Sequence, residues 1–171
     1  MQNHHLFNNV PKSVKFPAMN VFLLIAGIAV GGWFVFILLI KGFAALLKKS
    51  ALEATLKLLS GEEILRITDN ASFLGADFPG PNLPPRTSGV LAVTDRKIFF
   101  LPWFPRKSIS LPYEWVNGVR LQASFDDMAS SIPCVVVRVK ELKDPEGSIA
   151  WLVHEPRKWE KAIERRVNSS A

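Results

Sequence analysis

The stretch Gly89-Val90-Leu91-Ala92-Val93-Thr94-Asp95-Arg96-Lys97-Ile98-Phe99-Phe100 decides the fold. Two runs rich in β-branched and aromatic residues flank the polar pair Asp95-Arg96. This is the pattern of two strands joined by a tight hairpin. Working outward, Pro102-Trp103-Phe104-Pro105-Arg106-Lys107 reads as a loop, because two prolines forbid a central strand. Upstream, residues 76–88 form a second loop, carrying Pro79, Pro81, Pro84 and Pro85.

The remaining β signals follow at short intervals. Ile64-Leu65-Arg66-Ile67-Thr68 begins a strand extending toward Leu74. Ser108–Leu111 is a short one, and Val116–Ala123 another, with Gly118 placed for a bulge. Residues 124–131 read as a polar loop. Ile132–Lys140, with Val135, Val136, Val137 and Val139, is a strong strand. After the turn Asp144-Pro145-Glu146-Gly147, Ser148–Val153 is the last. Pro156 then stands at the tolerated first-turn position of a helix. Trp159, Ile163 and Val167 share one face of it, with Ala162 beside them.

The Gly89–Phe100 segment resembles the second and third strands of GRAM-like and bacterial PH-like domains, which often read Gly-x-Leu-x-Leu-Thr-x-x-Arg-Leu-x-Phe. Gly61-Glu62-Glu63-Ile64-Leu65 is similar to the start of their first strand, and the Trp159 helix to their C-terminal helix. The resemblance spans roughly residues 58–168. It departs in the proline-rich loop and at Lys97, where arginine is more usual. It implies a mainly β fold: a seven-stranded sandwich or partly open barrel with a C-terminal capping helix. It implies a binding function only in general terms, because one fold hosts lipid, peptide and protein recognition. Arg86 is the only cation from Asp77 to Ser88, which argues against inositol-lipid specificity.

Ahead of this domain, Asn20 to Ile40 contains no charged residue, and Lys41 ends the run. A bilayer core needs about 20 apolar residues in a helix. The run is too long for a signal-peptide core and leads into Lys41-Gly42-Phe43 with no small-residue cleavage pattern, so it reads as a retained single-pass anchor. The expected organisation is a tail over residues 1–19, a transmembrane helix over 20–40, a helical connector over 41–60 and the PH-like domain over 61–168. In the connector, Phe43, Leu46, Leu47, Ala51, Ala54 and Leu58 recur at helical spacing, and Gly61 is the expected stop. Two arrangements fit it: a continuation of the membrane helix, or a helix lying in the interface.

The net charge of +6 divides unevenly along the chain. Residues 1–49 hold Lys12, Lys15, Lys41, Lys48 and Lys49 and no acid, so most of the excess flanks the apolar run. No basic face is left on the domain for nucleic acid. The lysines favour a cytoplasmic C-terminal domain at a cell (inner or plasma) membrane. The single cysteine, Cys134, permits no internal disulfide, in keeping with that side.

For function, Trp103, Phe104, Arg106 and Lys107 combine two aromatics with two cations, as suits a membrane interface. In the PH-like layout the loops around residues 76–88, 102–107 and 141–147 share one rim, which adds Phe78, Arg86 and Lys143. Trp103 and Phe104 have a second placement open to them, folded back onto the core. Gly27 and Gly31 form a small-xxx-small pair for helix packing or a homodimer. His4-His5, Asp126-Asp127, His154-Glu155 and Cys134 lack the partners that metal binding or catalysis needs. No cofactor is expected and no enzyme activity. The expected function is a membrane-anchored binding or scaffolding module, touching the bilayer, anionic headgroups or a membrane protein partner through its loop rim. The alternative is a structural subunit of a membrane complex with no lipid-ligand role.

Overall fold

The computed structural model describes residues 18–78, 83–126, 128–140 and 147–170. The N-terminal tail up to residue 17, Asp127 and Lys143 lie outside the described residues. Two compact units divide the chain, residues 1–42 and 43–171.

In the first unit, helix α1 begins at Ala18; its range is Ala18–Leu58. It is the one helix among the described residues long and apolar enough to cross a membrane. Ile28, Val30, Trp33, Phe34, Phe36, Leu38 and Leu39 are all exposed, so its apolar surface is not confined to one stripe. A soluble helix would bury such a surface on one side.

The second unit holds the rest: β1 (Ile64–Ala76), β2 (Thr87–Thr94), β3 (Lys97–Pro102), β4 (Ile109–Pro112), β5 (Val116–Phe125), β6 (Met128–Val139), β7 (Gly147–Leu152) and α2 (Pro156–Ser170). The strands form one antiparallel sheet in the order β4-β3-β2-β1-β7-β6-β5. Strand β1 joins its halves, pairing with β2 from Ile64 to Phe73 and with β7 from Ser72 to Ala76. Strands β4 and β5 remain unpaired with each other, so the barrel is open. The core packs Phe73, Leu91, Val93, Ile98, Phe100, Val135, Val137, Ile149 and Trp151 against Trp159 and Ile163 of α2.

Strands β2 and β3 are buried on both faces, which the core alone does not explain. The reason is the last part of α1. Its Ala54, followed by Leu59, covers Ala92, Phe99 and Leu101, whose side chains point away from the core. The connector expected over 41–60 is therefore the end of α1, and from Phe43 on it belongs to the sheet's own compact unit. The buried stripe is Ala51, Thr55 and Leu59; Phe43, Leu46 and Leu58 of the expected stripe are exposed. Small residues face the sheet because they let helix and sheet approach closely. The Thr55 hydroxyl is neutralised by donating to the Ala51 carbonyl at 2.9 Å. Gly61, at φ +98°, turns the chain into β1, as expected of the stop residue.

The polar loop expected over 124–131 is instead a tight β5–β6 hairpin, with Phe125 opposite Met128 and Asp126 at φ +47°. Phe125 holds it together. It is buried in a second small cluster with Leu74, Cys134, Val136 and Ala150.

Candidate functional surfaces

The family-like residues of the first hairpin prove to be structural. The Thr94 hydroxyl donates to Glu62 at 2.8 Å and accepts from the backbone N–H groups of Arg96 and Lys97. Lys97 Nζ lies 2.7 Å from the other Glu62 oxygen. The buried Tyr113 hydroxyl donates to the Thr94 carbonyl at 2.8 Å, and burial pushes its pKa up to about 12. Lys97 thus ties the hairpin to the segment before β1 through its ion pair with Glu62.

Burial works to raise the pKa of Glu62, but hydrogen bonds from Lys97 and Thr94 and the Lys97 charge outweigh it, leaving the net value below 4.5. A carboxyl with a depressed folded-state pKa contributes stability above its unfolded pKa, and that contribution is lost as pH falls through the folded value. The Glu62→Gln variant is accordingly expected to melt lower than the parent at pH 7. The gap should close as pH falls below 4.5, read from thermal melts across that range.

Midway along β1, near Asp69, lies the loop between β3 and β4. Trp103 donates its backbone N–H to the Ser88 carbonyl at 2.9 Å and its indole N–H to the Asp69 carbonyl at 3.2 Å. The Asp69 carboxylate in turn pairs with Lys48 of α1 at 3.2 Å. Arg106 donates to the Ser50 hydroxyl at 2.7 Å. The loop is thus fastened to the turn of α1 around residues 48–50. Phe43, Leu46 and Ser50 follow at three- and four-residue steps, so the two exposed apolar residues lead along one face to the Arg106 contact. The two aromatics of the loop part company. Trp103 is half-buried against β1, and Phe104 stands 76% exposed. Arg106 and Lys107 are exposed beside it.

Phe78 packs on the core and lies against Gly147. Arg86 is exposed, at φ +62° ahead of β2. In α1, Gly27 and Gly31 have open space where a Cβ would stand. Cys134 is buried, and burial raises its pKa; its thiol donates to the Gln122 carbonyl at 3.2 Å. It stays protonated and unreactive.

Missing from the sequence reading was the part played by α1 in this surface. The signal was present in Ala51, Thr55 and Leu59 at four-residue steps, but these residues are small or polar and stand among larger apolar neighbours.

With this geometry in hand, the strand order, the bridging β1 and the helix closing the core can be set against known structures. The N-terminal PH domain of Vps36 aligns with a TM-score of 0.50 at 14% identity, over 65% of this chain and 83% of that one. The fold is PH-like. The C-terminal domain of an unknown protein from Leishmania infantum aligns at 15% identity with a TM-score of 0.49, over 70% of this chain and 97% of that one. No protein-family model matches the sequence, and no curated protein matches it. The likeness is to the PH fold as such, with nothing specific to its GRAM or bacterial branches. The PH-like unit follows an apolar helix at its N-terminal side.

Proposed function

We infer that the chain is a membrane-anchored PH-like binding module. In this reading Asn20–Ile40 crosses the cell membrane once, the PH-like unit lies on the cytoplasmic side, and the β3–β4 loop meets anionic lipid headgroups. The module binds and does not catalyse. The observation that supports it is the fastening of the loop to α1, through Arg106 on Ser50 and Trp103 on Asp69 beside Lys48. Ten residues separate Ile40 from Ser50, a reach of at most about 36 Å even fully extended. A surface tethered so closely meets headgroups at high effective concentration, so weak contacts are occupied. Phe104 supplies an aromatic for the interface, and Arg106, Lys107 and Lys49 supply charge for lipid phosphates.

The test uses the full chain in nanodiscs, with the Phe104→Cys variant labelled by an environment-sensitive bimane. Buried Cys134 does not compete for the label. The expected result is a blue-shifted emission, quenched by spin-labelled lipid, stronger in anionic than in neutral discs and weakened by salt. The label on a Ser110→Cys variant should stay aqueous. An aqueous spectrum at residue 104 in every disc sinks the lipid reading and leaves the structural-subunit role.

A further inference from the structure

The contact between Arg106 and the Ser50 hydroxyl marks one level on α1, with Lys48 and Lys49 just before it. Ahead of that level, residues 42–47 carry no charge. Phe43 and Leu46 among them are 64% and 67% exposed, as bare as Leu38 and Leu39 earlier in the helix. From Lys48 on, charge returns at Lys49, Glu53 and Lys57.

Depth follows from helix geometry. A helix rises about 1.5 Å per residue, so Leu46 lies about 6 Å and Phe43 about 10 Å along the axis from Ser50. The headgroup layer on each side of a bilayer is about 5–8 Å thick, outside a hydrocarbon core of about 30 Å. With Arg106, Lys107 and Lys49 at the lipid phosphates, Leu46 stands at the edge of the hydrocarbon and Phe43 inside it. A typical tilt of about 20° changes these depths only slightly.

We propose that Phe43 and Leu46 are buried in the acyl chains of the membrane, so that the PH-like unit is seated in the bilayer by its own end of α1. The inference rests on the lipid reading of the β3–β4 loop and adds the register of the anchor. About 20 helical residues fill the hydrocarbon core. Counted back from Leu46, they are residues 27–46. The span is therefore displaced by about six residues from the uncharged run that ends before Lys41. Lys41 opposes the shift, but near a helix end its long stem lets the ammonium reach the phosphates. Two large apolar side chains leave water in return, and the same shift brings the loop cations to the headgroups.

The test places a nitroxide at residues 38, 43, 46 and 53 of the full chain, through single cysteine variants, in nanodiscs of phosphatidylcholine and phosphatidylglycerol holding one copy each. Power saturation compares collisions with oxygen, which enters hydrocarbon, and with a nickel chelate, which stays in water. The labels on Leu38→Cys and Phe43→Cys should favour oxygen. Leu46→Cys should lie near the crossover, and Glu53→Cys should favour nickel. Nickel access at 43 and 46 beside oxygen preference at 38 overturns the proposal and leaves the anchor and the loop reading standing. Nickel access at 38 defeats the membrane reading itself. Protection of 43 and 46 that appears only in discs holding two copies assigns this face to a second copy and also overturns the proposal. A second measurement ties depth to the loop. Adding Phe43→Gln and Leu46→Gln to the bimane-labelled Phe104→Cys protein should abolish the blue shift while leaving the melting curve in place, because both residues are exposed. An undiminished blue shift overturns the proposal.

Discussion

A chain beginning at Gly61 is expected to aggregate, whereas one beginning at Phe43 should stay folded and monomeric. The difference is the docked end of α1. Without it, Ala92, Phe99 and Leu101 of β2 and β3 lose their cover, and Leu59 is gone altogether. Fully burying a large apolar side chain is worth about 1.5–3 kcal/mol. Uncovering this patch therefore costs several kcal/mol, on the order of the whole stability of a small domain. The exposed strip would also be a flat apolar sheet face, the kind of surface that drives association. Size-exclusion chromatography and thermal melting of the two products decide the matter. A monomeric, cooperatively melting product from Gly61 would show that the helix is dispensable to the sheet.

The second large effect is expected from adding one methyl group at Gly89. A Cβ there would stand 2.6 Å from the Leu101 carbonyl oxygen and 2.6 Å from Phe100 Cζ. Neither can give way cheaply. Leu101 is held in the β2–β3 ladder, where Gly89 itself faces Pro102. Phe100 is fully buried, with ring centroids 6.1 Å from Phe73 and 6.2 Å from Trp151. Gly89→Ala should cost about 3 kcal/mol or more, at the upper end for overpacking, seen as a large drop in melting temperature or loss of soluble protein. Gly147→Ala is the useful contrast. Its Cβ would meet only the Phe78 side chain, at 2.7–2.9 Å. One of these atoms is the Phe78 Cβ, which ring rotation does not move, so relief requires the segment after β1 to shift; half-buried Phe78 lies beyond the strand ladder, so the loss should still be smaller than at Gly89.

The β architecture was legible because its signals are local. Asp95-Arg96 between two apolar runs marks a hairpin, and Trp159 and Ile163 at a four-residue step mark the buried face of α2. Both stand as expected. Two things were not legible, for different reasons. The docking of α1 was hidden because its sheet-facing residues are the small ones, while Phe43 and Leu46, which draw the eye, face outward. The separate fates of Trp103 and Phe104 depend on one acceptor, the Asp69 carbonyl, brought near by the fold from 34 residues away. No property of the loop itself says which ring finds it.

The pairing of β1 with β7 has a consequence for how the chain is made. Ser72 meets Leu152, so the far edge of β1 waits until β7, far along the chain, has left the ribosome. Synthesis runs from the N-terminus, and strands β1 to β4 emerge as a half-finished stack with nothing to close their inner side. Their outer side need not wait. The helix that covers it precedes them in translation and can shield β2 and β3 as they appear. Only one face of the nascent stack is then left open to wrong partners until the last strand arrives.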